Sequence, residues 1–405
     1  MASVSPARRA AYEVLLRVFE QDAYADRAFR GAAEGLDERE RAFAQRLAYG
    51  AVQRVRMLDH AIETLGKRPV RKLDPPVRAA LRLGAYQLGY TDTAPHAAAN
   101  ESVELVRRAR LERAVPFTNA VMRRLASGIH PLLDSLPDSP LKESYPDWIH
   151  EIFVGVLGEE GALALMRAMN EPLETVVRLV AGEPPAGAEG TDIPGAYRVE
   201  RVDAELVAAG RIWPQSRGSQ LAGLCVGSRE GDRVLDVCAA PGGKTGQLRG
   251  EVTAVEIDPH RASELRANLA TMGRAEVTVV EADATALPPE LDGFDRALVD
   301  APCSGLGVLA QRPDLRWRAQ PLPELQSALL RAATERVKPG GTLVYSVCTL
   351  NPDECEAVVD ASGLRVEPLG EEWPQFAHPS RPEFLLTLPH VHGTSGFFVA
   401  RLVRD

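Results

Sequence analysis

The stretch VLDVCAAPGGKTGQL, residues 234–248, decides how the second half of the chain folds. It begins with a short apolar run that is typical of a buried strand, interrupted only by Asp236. Gly242 and Gly243 then let the backbone turn tightly and approach a ligand before the next helix begins. A strand that runs into a glycine-rich turn at the start of a helix predicts a nucleotide-type ligand at that strand end.

Two common nucleotide-binding patterns do not fit this turn. A P-loop has the pattern GxxxxGK[ST]; Gly243, Lys244 and Thr245 supply its last part, but Cys238 stands where the first glycine is required. The dinucleotide pattern GxGxxG is also absent from the turn. What remains is an adenosine-type site, in which the ligand lies at the carboxyl ends of the strands.

From about residue 215 the chain alternates between short apolar runs and helix-like runs. The helix-like runs include RASELRANLATMG (261–273) and ELQSALLRAATERV (324–337). This alternation predicts an α/β, Rossmann-like domain with a mostly parallel, doubly wound sheet. The predicted strands are DRVLDVC (232–238), EVTAVEID (251–258), EVTVVEAD (276–283), DRALVDAP (295–302), GTLVYSVC (341–348) and GFFVARLV (396–403).

Acidic residues end two of these strands. Glu256 lies 20 positions after Asp236, where a carboxylate can accept hydrogen bonds from ribose hydroxyls. The alternative role is a cap for the helix that begins near Pro259, for which Asp258 is better placed than Glu256. Asp283 ends the next strand, where it can either accept from an adenine amino group or cap a turn.

Two of the five cysteines follow strands that are expected to be neighbours. Cys303 lies in DAPCSGLG (300–307), at a position where methyltransferases that modify amino groups carry [DN]PP[YFW], and Cys348 follows the next strand. Cys225 and Cys355, by contrast, are expected to be small buried core residues. No CxxC pair or nearby histidine has the spacing of a metal site, so we expect no metal.

Two thiols beside a methyl donor suggest one particular reaction. A thiolate that adds to carbon 6 of cytosine makes carbon 5 nucleophilic enough to take a methyl group, and loss of the carbon-5 proton then expels the thiol. One cysteine can start this sequence, and the other can assist the release. Asp300 is close enough in sequence to protonate the ring nitrogen. Lys244 either lowers the pKa of a thiol or is a solvated lysine at a helix start.

The first part of the chain has a different pattern. Residues 1 to about 130 have apolar side chains at helical spacing, which predicts an all-α domain. The whole chain of 405 residues has a net charge of −9, which by itself disfavours nucleic-acid binding. Residues 1–130, however, contain 22 Lys and Arg against 15 Asp and Glu, so they carry +7 and the remainder carries −16. This asymmetry indicates an acidic partner for the first part, although a solvated helix surface explains it equally well.

A stretch rich in Pro, Ser and Asp separates the two parts. We predict a linker at 131–150, a small subdomain at 151–214 and the α/β domain at 215–405. The chain starts without a secretory apolar region, and no run approaches the ~20 apolar residues that span a bilayer. We therefore expect a cytoplasmic, soluble monomer that binds no membrane.

Four motifs together resemble the Sun/RsmB-type RNA cytosine-5 methyltransferases. They are LDVCAAPGGKT, VEID, DAPCSGLG and YSVCTLNPDE. The helical first part is similar to the NusB-like RNA-binding domain of that family. The resemblance implies that S-adenosylmethionine is the methyl donor and that RNA, most of all small-subunit (16S) ribosomal RNA, is the substrate.

The resemblance also implies roles for individual residues. Cys348 is the nucleophile and Cys303 assists product release, although the opposite assignment, as in the DNA cytosine methyltransferases, is chemically reasonable. Glu256 contacts the ribose, Asp283 lies near the adenine, and Asp300 is shared between cofactor and base. The cofactor-binding loop comprises Cys238, Ala239, Ala240, Pro241, Gly242, Gly243 and Lys244.

Two features depart from the family's pattern. Glu256 stands where the family usually has Asp or a similar acid, a change that keeps the ribose contact. The stretch VVRLVAGEPPAGAEG (176–190) belongs to a shortened segment without an RVN-like run, which leaves the target base open. Two alternatives are transfer RNA as the substrate, and a non-catalytic RNA-binding role in ribosome assembly or antitermination.

Overall fold

Two groups of residues pack separately in the computed structural model, which describes residues 4–405. The first unit contains the described residues up to Asn170 together with Gln311–Arg318. The second unit contains Glu171–Ala310 and Ala319–Asp405. The chain therefore leaves the second unit after Ala310, contributes eight residues to the first unit and then completes the second.

The first unit is all α, as the helical spacing of its apolar residues predicts. Helix α5 is buried on nearly every side, because its apolar residues are not confined to one stripe. At Gly84 of α5, a Cβ atom would lie 2.4 Å from Ser102 Oγ and 2.5 Å from Met122 Cε, so only glycine fits. The helices are α1 (Pro6–Glu20), α2 (Ala25–Ala32), α3 (Glu38–Gln53), α4 (Val55–Gly66), α5 (Pro75–Tyr90), α6 (Pro95–Arg108), α7 (Val115–Ser135) and α8 (Asp147–Ala168, with a break at Gly158).

The structure differs from the prediction between residues 131 and 214. The predicted linker at 131–150 begins inside α7, which continues through Pro131, and ends inside α8. Tyr145 in this stretch is fully buried and donates its hydroxyl to the Met166 carbonyl at 3.1 Å, so the stretch packs as part of the first unit. The predicted subdomain at 151–214 therefore begins inside α8, and the second unit starts only at Glu171.

The eight residues Gln311–Arg318 are held in the first unit mainly by Arg316. Its guanidinium is fully buried and donates to the Met169 carbonyl at 3.1 Å and to Asn170 Oδ1 at 2.8 Å. The same guanidinium lies 3.8 Å from the centre of the Tyr145 ring. Trp317 donates its indole N–H to the Val52 carbonyl at 2.7 Å.

A small antiparallel sheet begins the second unit. Its strands are β1 (Val176–Leu179), β2 (Glu189–Gly190), β3 (Ala196–Arg198) and β4 (Ile212–Pro214). The strand order is β2-β3-β1-β4. The shortened segment 176–190 therefore contributes β1 and β2 to this sheet.

The larger sheet confirms the predicted α/β fold. Its strands are β5 (Arg233–Asp236), β6 (Glu251–Glu256), β7 (Thr278–Glu281), β8 (Phe294–Asp300), β9 (Val337–Val347), β10 (Arg365–Glu367), β11 (Leu385–Thr387) and β12 (Phe397–Val403). The strand order is β10-β12-β9-β8-β5-β6-β7, and β11 pairs with β12. The five strands from β9 to β7 in this order are parallel. Strand β12 pairs with β9 in antiparallel orientation, and β10 and β11 each pair with β12 in antiparallel orientation. The loops that follow the parallel strands therefore share one edge of the sheet.

Further helices occur between these strands along the chain. They are α9 (Ala204–Ala208), α10 (Arg217–Cys225), α11 (Pro259–Thr271), α12 (Leu315–Arg318, which packs in the first unit), α13 (Pro323–Arg336), α14 (Glu356–Ser362) and α15 (Pro389–His392). Helices α11 and α13 match the two helix-like runs that the sequence predicts.

Candidate active site

Two cysteines meet at the carboxyl edge of the larger sheet. Strands β8 and β9 are parallel neighbours, with Asp300 opposite Ser346 in the register. Cys303 follows β8 and Cys348 follows β9, and their Sγ atoms lie 3.5 Å apart. Both side chains are partly exposed to solvent. The structure thus brings together the two thiols that the sequence places after neighbouring strands.

The thiols of Cys303 and Cys348 differ in how readily they ionise. A hydrogen bond from the Cys303 thiol, helped by the charge of Lys244, lowers the pKa of Cys348 against the opposing effects of burial and of Asp300. The same hydrogen bond, together with burial, raises the pKa of Cys303 well above its ordinary value. The thiolate is the nucleophilic form of cysteine, and Cys348 is the more readily ionised thiol of the pair.

Lys244 and Asp300 form an ion pair at this edge, with Nζ 2.8 Å from Oδ2. The hydroxyl of Ser346 donates to the other carboxylate oxygen, Oδ1, at 2.7 Å. The Lys244 ammonium also lies 4.8 Å from the centre of the Phe397 ring, which is a cation–π contact. Two donors, one of them an ammonium group, thus hold the Asp300 carboxyl group in place at this edge.

The glycine-rich turn after β5 comes close to α11. At Gly242 the φ angle is +103°, and a Cβ atom there would lie 2.7 Å from Leu265 Cδ1, so a side chain would be strained. Arg178 of β1 is buried and donates to the Gly243 carbonyl at 3.4 Å. The small sheet thus supports the turn just before Lys244, a role for Arg178 that the sequence did not reveal.

Asp236, the last residue of β5, is buried under this turn. Its Oδ2 accepts the hydroxyl of Thr245 at 2.7 Å, whereas Oδ1 has no hydrogen-bond partner among residues 4–405. Burial, reinforced by the nearby negative charge of Asp300, raises the pKa of Asp236 to about 7. This carboxyl group therefore changes its charge near neutral pH.

A cavity of about 320 Å³ lies beside the turn. Glu256, Asp283 and Asp300 face it. Only 4% of Glu256 is exposed, and its Oε1 accepts the backbone N–H of Asp258 at 3.0 Å. Apolar walls with a few carboxylate acceptors fit a nucleoside whose hydroxyl and amino groups donate hydrogen bonds. The apolar wall includes Val237, Ala240, Ile257, Pro302, Leu325 and Leu329.

The structure shows which of the acidic residues at the strand ends cap a helix. Asp258 caps α11, since its Oδ1 accepts two backbone N–H groups at 2.8 and 3.1 Å, and Glu256 makes no such cap. Asp283 makes the cap that the sequence allowed. It faces the cavity, and it caps a short 3-10 helix by accepting the backbone N–H and the hydroxyl of Thr285, which lowers the pKa of Asp283.

The other three cysteines are Cys225, Cys238 and Cys355. Cys225 and Cys355 are buried, as predicted. Cys238 faces the cavity, and burial raises its pKa.

Within residues 4–405, no group of three or more His, Cys, Asp or Glu side chains could hold a metal ion. No helix in the same range is both long enough and apolar enough to cross a membrane.

A buried carboxylate near the thiols was not predicted from the sequence. Glu354 is fully buried, and its Oε1 accepts the backbone N–H of Ser304 at 2.9 Å and the side-chain amide of Gln326 at 2.9 Å. The only signal was its place in the motif YSVCTLNPDE, and a glutamate in a loop is usually solvated.

Known proteins resemble both parts of the chain. A model of the 16S rRNA methyltransferase RsmB/F family matches residues 224–403, and a model of the NusB family matches residues 5–127. Neither match includes the small sheet.

Individual proteins resemble the chain over most of its length. The probable ribosomal RNA small subunit methyltransferase B of Synechocystis is 33% identical, and the alignment covers 98% of this chain and 99% of that protein. Ribosomal RNA small subunit methyltransferase B of Thermus thermophilus is 34% identical over 91% of this chain and 89% of that protein. The crystal structure of PH0851 is similar with a TM-score of 0.82 over 100% of both chains, and at 23% identity this likeness shows the fold alone.

Proposed function

The chain belongs to the RsmB/F family of 16S rRNA methyltransferases, and on that premise we propose that it methylates carbon 5 of a cytosine in small-subunit ribosomal RNA through a covalent bond to Cys348. The observation that carries the proposal is the pair of thiols, which lie 3.5 Å apart and have opposite pKa shifts. Methyl transfer to an amino or hydroxyl group needs no nucleophilic thiol, whereas carbon 5 of cytosine needs one.

S-adenosylmethionine is the methyl donor of this protein, and the cavity fits it. We assign Glu256 to the ribose hydroxyls and Asp283 to the adenine amino group, because these two carboxylates face the cavity from the ends of neighbouring strands. We assign the turn Cys238–Lys244 to the rest of the cofactor. The bound cofactor supplies a methyl group on a positively charged sulfur.

The first step belongs to Cys348 and Asp300. The Cys348 thiolate forms a bond to carbon 6, and the electron pair of the carbon 5–carbon 6 double bond shifts to the bond between carbons 4 and 5. The electron pair of the carbon 4–nitrogen double bond moves onto the ring nitrogen, which takes up a proton. We assign this transfer to Asp300, which passes on the proton of the Lys244 ammonium; Nζ of Lys244 lies 2.8 Å from Oδ2 of Asp300. Carbon 5 then has the electron density to accept the methyl group.

The release step belongs to Cys303. Once Cys348 is bonded to carbon 6, the Cys303 thiol, which is partly exposed, gives its proton to solvent. The Cys303 thiolate then takes the proton from carbon 5, the carbon 5–carbon 6 double bond forms again, and the bond between carbon 6 and Cys348 breaks. The ring nitrogen returns its proton to Asp300, and Cys348 leaves as a thiolate. The raised pKa of Cys303 suits this role, because a thiolate with a higher pKa is a stronger base.

The helical first part holds the RNA in this proposal. Its match to the NusB family and the net charge of +7 on residues 1–130 support contacts with phosphates. The remaining chain is acidic, so RNA affinity resides mainly in the first part and falls steeply as the salt concentration rises. The small sheet β1–β4 contributes to recognition of the target.

The test is a labelled-methyl transfer assay with deproteinised small-subunit RNA that lacks the modification, followed by identification of the modified nucleoside. We expect 5-methylcytosine in this RNA. Methylation confined to transfer RNA would overturn the choice of substrate. Absence of methyl transfer, with RNA binding intact, would favour an assembly or antitermination factor.

A further inference from the structure

We propose that Glu354 is a positioning residue that fixes the Cys303 thiol against Cys348 and thereby sets the rate of product release. The inference rests on the proposed function, because it assigns Glu354 to the release step of that reaction. It follows from hydrogen bonds on both sides of Cys303.

The Glu354 carboxylate accepts hydrogen bonds from two different parts of the second unit. Its Oε1 accepts the backbone N–H of Ser304 at 2.9 Å, the backbone N–H of Leu322 at 3.0 Å and the side-chain amide of Gln326 at 2.9 Å. Its Oε2 accepts the hydroxyl of Ser304. The loop after β8 and the start of α13 are therefore joined through one carboxylate.

The peptide that carries Cys303 is held from both neighbours. Ser304, which follows Cys303, donates to Glu354 through its backbone and its side chain. The carbonyl of Pro302, which precedes Cys303, accepts the amide of Gln326 at 2.9 Å, and the same amide group donates to Glu354. Removal of the carboxylate therefore frees the loop on both sides of the thiol.

The other thiol is tied to the same network. The Ser304 hydroxyl lies 2.8 Å from the hydroxyl of Thr349, the residue that follows Cys348. The backbone N–H of Gly307 donates to the Cys348 carbonyl at 3.0 Å. Glu354 itself comes six residues after Cys348 in the chain. The spacing of the two thiols thus depends on contacts that converge on Glu354.

The surroundings of Glu354 point to a positioning role. The side chain is fully buried, and no Lys, Arg or His among residues 4–405 forms an ion pair with it. A buried carboxylate without a cation is costly unless its oxygens accept several hydrogen bonds. The four donors satisfy that need, and three of them, the two of Ser304 and the amide of Gln326, belong to or support the loop that carries Cys303.

The test measures the covalent protein–RNA adduct on denaturing gels together with turnover. We expect Glu354→Ala to raise the adduct fraction at least fivefold, towards that of Cys303→Ala, and to lower turnover roughly 10- to 100-fold, since a displacement of ~1 Å at a reacting group can cost that much. Ser304→Ala should act in the same direction but less strongly. Glu354→Gln keeps the shape and one acceptor, so it should restore most of the turnover.

Two controls separate this role from a loss of folding. Glu372→Gln removes a carboxylate of the same unit that pairs with Arg401, and it should leave adduct and turnover unchanged. In a Cys303→Ala background, Glu354→Ala should add no further adduct, because both changes affect one step.

The outcomes are distinguishable from those of the proposed function. If Cys303→Ala accumulates adduct but Glu354→Ala loses turnover without adduct, the positioning role is wrong while the function stands. If Glu354→Ala does not fold, Ser304→Ala decides, and an adduct fraction at the wild-type level overturns the inference. If Cys303→Ala itself gives no adduct, the release step in the proposed function is wrong, whatever the result for Glu354→Ala.

Discussion

The ammonium of Lys244 lies 2.8 Å from the carboxylate of Asp300, so the turn after β5 and the end of β8 are joined by an ion pair. Lys244 also lowers the pKa of Cys348, while Asp300 raises it. The pair therefore connects the turn after β5 with the ionisation of Cys348, the thiol to which we assign the attack on carbon 6. This relationship makes the pH dependence of methyl transfer sensitive to Lys244.

We expect Lys244→Met to shift the pH–rate profile to higher pH and to lower the rate at neutral pH about 10- to 100-fold. Activity rises with pH as Cys348 loses its proton, and without the lysine charge the pKa of Cys348 increases. Labelled-methyl transfer between pH 6 and 9 measures this shift. Lys338→Met, which removes an exposed lysine paired with Asp295, serves as the control. An unshifted profile for Lys244→Met would show that the lysine does not act on the thiol.

Glu256 should matter for cofactor affinity more than for folding. Replacement by Ala removes a buried acceptor from the cavity, and we expect binding of S-adenosylhomocysteine to weaken roughly 10- to 100-fold, or about 1.4–2.8 kcal/mol. Calorimetric titration measures the change. The matched control is Glu281→Gln, a strand-end carboxylate that pairs with Arg266. Equal affinities for wild type and Glu256→Ala would contradict the ribose assignment.

Asp236 should make stability depend on pH. Its folded-state pKa of about 7 lies above the ordinary value, so its contribution is fully present at acidic pH and is lost as pH rises towards 7. Asp236→Asn keeps an acceptor for Thr245 but cannot ionise. The stability of the variant relative to wild type should therefore increase by roughly 1.4 kcal/mol per pH unit at most between pH 5 and 7, and stay level above pH 7. Thermal melts across pH 5–8 measure it; a constant difference would mean that Asp236 is ionised throughout.

Arg316 should be a major source of stability for the first unit. Its guanidinium donates to Met169 and Asn170 in a fully buried position, and its removal leaves acceptors unpaired and a cavity behind. We expect Arg316→Ala to lower the free energy of unfolding by roughly 3–5 kcal/mol. Urea denaturation followed by circular dichroism measures the loss. The exposed Arg107→Ala is the control, and a loss below about 1 kcal/mol for Arg316→Ala would contradict this packing.

The fold of the second unit followed from the sequence because strand and helix periodicity is a local property. The two thiols were expected to meet because the carboxyl ends of parallel neighbours share one edge, and Cys303 and Cys348 do meet there. The structure also confirms Asp258 as the cap of α11, because its position directly before Pro259 is a local signal that the sequence already contains.

The features that escaped prediction depend on contacts between residues far apart in sequence. The stretch around Tyr145 has the composition of a linker, yet Tyr145 is buried against α8. Glu354 lies in a loop, where a glutamate is usually solvated, yet its carboxylate accepts hydrogen bonds from four donors. Arg316 lies within the residues that match the methyltransferase family but packs in the first unit. No local pattern distinguishes these residues from ordinary surface positions.

The most direct test of the account compares Cys348→Ala with Cys303→Ala on small-subunit RNA, measuring methyl transfer and the denaturation-resistant protein–RNA adduct. Cys348→Ala should show neither methyl transfer nor adduct, because it lacks the thiol that attacks carbon 6. Cys303→Ala should form the adduct and retain it, because release is slowed. If Cys348→Ala instead retains the adduct and Cys303→Ala loses it, the two thiols have exchanged roles; if neither variant affects methyl transfer, the covalent mechanism is wrong.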